Sequence, residues 1–135
     1  MKTDILASFP AMMANVREKE PIVQAITNFV TVNDCANIIL AAGASPTMAH
    51  EVEEVAEVAS VVQGLVMNMG TMEDVEAMLV AGKAANEAGV PVVLDPVAVG
   101  ATRLRREGGK KLLENVKFSV IRGNTSEINR FHSWR

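Results

Sequence analysis

Short apolar runs alternate along this chain with longer stretches whose apolar residues recur every three to four positions. Ile22–Ile26 is the first run, and it stops at Thr27–Asn28. Val61–Met67 is the second and stops at Asn68, Val92–Leu94 stops at Asp95–Pro96, and Phe118–Ile121 runs into Arg122–Gly123–Asn124. Each is short and rich in β-branched residues, as expected of strands buried on both faces of a parallel sheet. Between them the spacing predicts helices over Asn33–Ala42, from about His50 to Ser60, from Gly70–Thr71 to Gly89, and over Leu104–Asn115. Gly43 is suited to a left-handed helix stop. Thr71 with Asp74 three residues on resembles a capping box with a short partner. Val75, Met78, Leu79 and Ala85 are expected to face the core. Gly108–Gly109 should weaken the last helix by roughly 1 kcal/mol per glycine relative to alanine. Ala44–Pro46 reads as a link, and Ile5–Ala14 as an amphipathic helix with Ile5, Phe9, Met12, Met13 and Val16 near one face.

Strand and helix alternating at this spacing indicate βαβ units with right-handed crossovers, hence an α/β fold. The 135 residues suffice for one domain with a real core. No apolar run approaches the roughly 20 residues that span a bilayer. The formal charge of −3 gives no basic footprint for nucleic acid or an anionic membrane. One cysteine, Cys35, rules out an internal disulfide framework and fits a reducing cytoplasm. It lies in an early helix and reads as a small buried residue.

If the strands are parallel, Asn28, Asn68, Asp95 and the set Arg122, Asn124 and Glu127 gather along one edge of the sheet. That is the edge where open α/β sheets bind ligands. Pro96 cannot continue a central strand, so Asp95 is presented just past a strand end. Asn68 reads equally well as a turn residue. Two carboxylates, Asp95 and Glu127, with Arg122 nearby suit a hard cation such as Mg²⁺ held with nucleotide phosphates. The chain has no GxxxxGK[ST], no GxGxxG, and no CxxC or HExxH. His50 and His132 read as surface residues. The residues alone thus give an α/β domain with a cation-competent ligand edge and name no substrate.

Ile26–Thr27–Asn28 with Val30–Asn33, Gly43–Met48, Asn68–Thr71, Leu94–Ala101 and Ile121–Ile128 together resemble hydroxyethylthiazole kinase. Asn124–Thr125–Ser126–Glu127 is also similar to the NxxE element of the wider ribokinase-like superfamily. The resemblance implies a three-layer α/β/α fold with a mostly parallel sheet, truncated on its C-terminal side. Residues 1–128 would be the N-terminal part of a single kinase domain and 129–135 a divergent tail. It implies ATP- and Mg²⁺-dependent phosphorylation of the hydroxyl of 4-methyl-5-(2-hydroxyethyl)thiazole, in thiamine biosynthesis and salvage, by a cytoplasmic homotrimer. Met48, Asn28 and Val30 would lie at the thiazole, although Met48 alone reads as ordinary core packing. Arg122 and Asn124 would serve ATP, and Asp95 and Glu127 would hold Mg²⁺ directly or through water. Two departures stand out. Gln24–Ala25 replaces the usual His–Cys, and the family's catalytic Cys lies beyond the end of this chain. The alternative is a catalytically incompetent remnant that binds thiazole or assembles with a longer subunit.

Overall fold

The computed structural model describes residues 4–134, so residues 1–3 of the expected kinase segment and Arg135 of the expected tail lie outside the described residues. Helix α1 (Ile5–Lys19) leads into strand β1 (Ile22–Ile26), followed by α2 (Val32–Ala42), β2 (Ser45–Thr47) and α3 (Val55–Val61). Strand β3 (Gly64–Asn68), α4 (Val75–Glu87), β4 (Val92–Asp95), α5 (Arg103–Asn115), β5 (Val120–Ile121) and α6 (Thr125–His132) complete the chain. The five strands form one sheet in the order β2-β1-β3-β4-β5, with every pairing parallel. The α/β class and the parallel sheet expected from the sequence are both present.

Strand order dictates where the helices go. The step from β1 to β2 runs one way across the sheet, whereas β2 to β3, β3 to β4 and β4 to β5 all run the other way. With right-handed crossovers, α2 covers one face and α3, α4 and α5 cover the opposite face. The register agrees. Gln24, Leu65 and Val92 are neighbours across β1, β3 and β4, as are Ile26, Met67 and Leu94 one pleat further on, and all six are buried. The five apolar ones pack with Val55, Ala59, Met78, Ala81, Ala85, Leu112 and Val116 into the core. On the other face Val66 and Val93 are half-buried and Val120 is 51% exposed. Helix α1 rests against α2 and buries none of its residues; Leu6 is 86% and Phe9 56% exposed. Its expected apolar face is therefore only half covered, through Met13 and Val16.

Several boundaries differ from expectation. Ser45–Thr47 is not a link but an edge strand, a position that tolerates Pro46. The helix expected from His50 begins at Val55, after a turn closed by the Glu54 N–H donating to the Glu51 carbonyl at 3.0 Å. Val61 ends that helix rather than opening a strand. The helix expected from Thr71 begins at Val75, and Asp74 at its N-cap makes no side-chain capping bond, so Thr71 and Asp74 form no capping box. The Met69 and Gly70 carbonyls of the preceding loop accept from the Arg105 guanidinium. Within the segment read as a tail, residues 129–132 form the end of α6; Phe131 is buried in the core and its ring lies 5.3 Å from that of Trp134.

The paired glycines of α5 are there for contact. A Cβ on Gly108 would come within 2.8 Å of Met72, and one on Gly109 would run into Val99, which follows the Asp95–Pro96 break. Gly109→Ala should therefore destabilise the protein by about 1–3 kcal/mol through overpacking, despite a helix-propensity gain of about 1 kcal/mol. Urea denaturation checks this, and a more stable variant would contradict the packing argument.

Candidate ligand site at the sheet edge

Parallel pairing brings the polar strand ends to one level. Asn68 and Asp95 are register partners across β3 and β4. Ile121 pairs with Leu94, so Arg122 lies beside Asp95, and the Arg122 N–H donates to the Leu94 carbonyl at 3.0 Å. Asn28 follows β1 on the other side. Between β1 and β3 the connections leave in opposite directions, which opens a crevice at this switch point. Asn28 and Asn68 stand at its mouth.

These side chains are bonded in a row. The Thr31 N–H and hydroxyl both donate to Asn28 Oδ1 at 3.1 Å. Asn28 Nδ2 donates to Asn68 Oδ1 at 3.2 Å, and Asn68 Nδ2 to Asp95 Oδ2 at 3.1 Å. An Arg122 Nη2 ion pair reaches the same Asp95 oxygen at 3.1 Å. Asp95 is mostly shielded, its side chain 17% exposed, whereas that of Arg122 is 70% exposed and keeps donors for a further anion. Asp95 Oδ1 accepts no hydrogen bond among the described residues.

Glu127 is committed differently. Its Oε2 accepts from the Asn124 N–H at 2.9 Å while Asn124 Oδ1 accepts from the Glu127 N–H at 3.0 Å, a reciprocal capping box that starts α6. Its Oε1 accepts the Ala98 N–H at 2.8 Å. Ala98 sits at φ +53°, a conformation unfavourable for a residue with a Cβ, and this bond ties it down. Ala98, Gly100, Ala101, Asn124, Glu127 and Arg130 line a shallow pocket there. Among the described residues no three His, Cys, Asp or Glu side chains converge as a metal cage. A cation that keeps its waters and shares phosphate oxygens needs only one or two carboxylates. Asp95 fits that demand through its open oxygen. Glu127 is less open, since each of its oxygens already accepts one backbone N–H.

The third corner is half-built. Met48 follows β2 and is half-buried, and its carbonyl lies 3.1 Å from His50 Nδ1. The His50 ring meets Phe29 edge-to-face at 5.5 Å, joining the loops after β1 and β2. Val30, however, is 91% exposed. Cys35 is half-buried with its Sγ 3.8 Å from Thr27 Oγ1, and lies outside the polar row.

Arg105, and the partners of Asn68 and Gln24, escaped sequence reasoning. Arg105 donates Nη1 to the Met69 carbonyl at 2.5 Å and to the Val97 carbonyl at 3.0 Å, clamping the loops after β3 and β4. In Arg103–Asn115, rich in lysine and arginine, it looks like one more surface charge. Asn68 is central to the row rather than a plain turn residue. Gln24, at the departure from the family pattern, is fully buried; its Nε2 donates to the Ala49 carbonyl at 3.0 Å beside Met48, while Oε1 has no partner among the described residues.

The fold and this edge define an open parallel α/β domain with Asn28 and Asn68 at its topological switch point and, beside them at the ends of β4 and β5, a carboxylate–arginine pair. Residues 13–134 match the hydroxyethylthiazole kinase family, and the chain belongs to that family. It is 61% identical over 116 residues to a hydroxyethylthiazole kinase of Thermoanaerobacter pseudethanolicus, covering 84% of this chain and 44% of the relative. Against that of Clostridium acetobutylicum it is 58% identical over 118 residues, covering 86% and 43%. The solved structure of the hydroxyethylthiazole kinase protein from Pyrococcus horikoshii superimposes with a TM-score of 0.86 at 41% identity, covering 91% of this chain and 49% of that one. The chain thus spans less than half the length of these relatives.

Glu127→Ala should release the Ala98 and Asn124 N–H groups together and cost more stability than Asn124→Ala, which removes one cap worth about 1 kcal/mol. Chemical denaturation of the two variants side by side checks the order, and equal losses would mean that the tie to Ala98 contributes nothing.

Proposed function

We propose that this chain carries the metal- and phosphate-facing part of a hydroxyethylthiazole kinase site, for ATP- and Mg²⁺-dependent transfer of a phosphoryl group to the hydroxyl of 4-methyl-5-(2-hydroxyethyl)thiazole in thiamine biosynthesis. The observation that carries the reading is the bonded row that ends on Asp95 with one carboxylate oxygen open beside an exposed arginine. Phosphoryl transfer asks for positioning and charge neutralisation more than covalent chemistry. The chemistry that Mg²⁺ would supply there is neutralisation of phosphate charge. Asp95 offers that ion an oxygen, with Glu127 as the less open second carboxylate. Arg122 offers donors to the phosphates, and Asn124 shapes the loop beside them. Met48, Asn28 and Val30 would flank the thiazole, where a thioether is a soft wall for a sulfur heterocycle. Small-molecule substrates, a cytoplasmic setting and the family's trimer belong to the same reading.

A second reading is favoured by one observation. Val66, Val93 and Val120 form an apolar row on the sheet face opposite α3–α5, and β5 pairs on one side only. Such a face calls for further protein, so this chain would act within a longer assembly rather than by itself.

Both readings meet in one experiment. Residues 1–134 joined to the remaining part of the T. pseudethanolicus relative should convert hydroxyethylthiazole and Mg-ATP to the phosphate ester, followed by mass spectrometry. Asp95→Asn in that hybrid should lower kcat about 100-fold or more while the KM for the alcohol changes little. Unchanged kcat with weakened thiazole binding would remove Asp95 from the metal site.

A further inference from the structure

Resting on the kinase reading for its significance but not for its test, we propose that Asn68 is a positioning residue. It fixes which oxygen of Asp95 is left open, and it links that carboxylate to Asn28 across the switch-point crevice. Two backbone groups set the direction of the row. The Thr31 N–H can only donate, so the atom of Asn28 facing it is Oδ1 and the amide nitrogen must face Asn68. The Gly70 N–H likewise donates to Asn68 at 2.8 Å, so that atom is Oδ1 as well, and the Asn68 nitrogen must face Asp95. Neither amide can flip without placing a nitrogen donor against an N–H.

Gly70 makes this approach possible. A Cβ there would lie 2.6 Å from Asn68 Oδ1 and 2.8 Å from Asn28 Nδ2, so no other residue fits at that point without breaking the row. All donors therefore point toward Asp95, and both terminal partners, Asn68 and Arg122, meet at its Oδ2. Oδ1 is left as the ligand-facing oxygen by exclusion. A group arriving at Asn28, on the alcohol side, and one arriving at Asp95, on the phosphate side, act on the two ends of one hydrogen-bonded row.

The test follows the ¹⁵N-labelled side-chain amides of Asn28 and Asn68 by NMR in the 135-residue chain. Asp95→Asn removes the charge at the end of the row, and both amides should shift by more than a linewidth. With Asn68→Ala in place, the same Asp95→Asn change should leave Asn28 unmoved. An Asn28 amide that ignores Asp95→Asn, or responds equally in both backgrounds, overturns the proposal. Should Asn68→Ala lose its folded spectrum, Arg122→Ala in the otherwise unaltered chain decides the matter. The Asn68 amide must then move, because Asp95 Oδ2 has lost its other partner, and a stationary amide overturns the proposal. No turnover is involved, so an inactive hybrid would sink the kinase reading while these shifts still decide the role of Asn68.

Discussion

Parallel register is the constraint on which everything else at the site depends. A parallel pair puts successive strand ends at the same edge, and here the pairing of Asn68 with Asp95, with Arg122 one residue beyond the Leu94–Ile121 pair, sets three side chains side by side. The row adds direction to that proximity. Backbone N–H groups of Thr31 and Gly70 fix both asparagine amides, and the amides in turn fix the carboxylate. A slip of one residue would turn Asn68 and Asp95 to the core face and carry Met67 and Leu94 out of it. Core and site are thus held by the same register.

The loops around the row are held by a second, weaker set of ties. Arg105 takes carbonyls from the loops after both β3 and β4, and Glu127 takes the N–H of strained Ala98 and the cap of α6. Close helix packing at Gly109 presses Val99 from below. A strand end, two loops and a helix start therefore meet around Asp95, each satisfied by backbone bonds. The carboxylate itself keeps one oxygen out of these bonds.

Much of this was legible in the sequence wherever residues act through type and period. The apolar runs of β1 and β4, the left-handed stop at Gly43, and the polar strand ends followed from pattern alone. What pattern missed depends on distant partners. The loop before α4 is tied at the Gly70 carbonyl by Arg105, more than 30 residues away, a bond that no local pattern around Thr71 and Asp74 reveals. Gly108 and Gly109 look like weak points until Met72 and Val99 are seen against them. Asn68 looks like a turn residue until Asn28 and Asp95 are found on either side.

The most direct measurement is amide hydrogen exchange of the chain with and without Mg-ATP. If the strand-end row is the ligand site, bound nucleotide slows exchange over 68–71, 97–101 and 122–127 and leaves the far ends of the strands, around residues 89–92, unchanged. Protection confined to the opposite edge of the sheet, or to the groove between β5 and α6, would contradict the account.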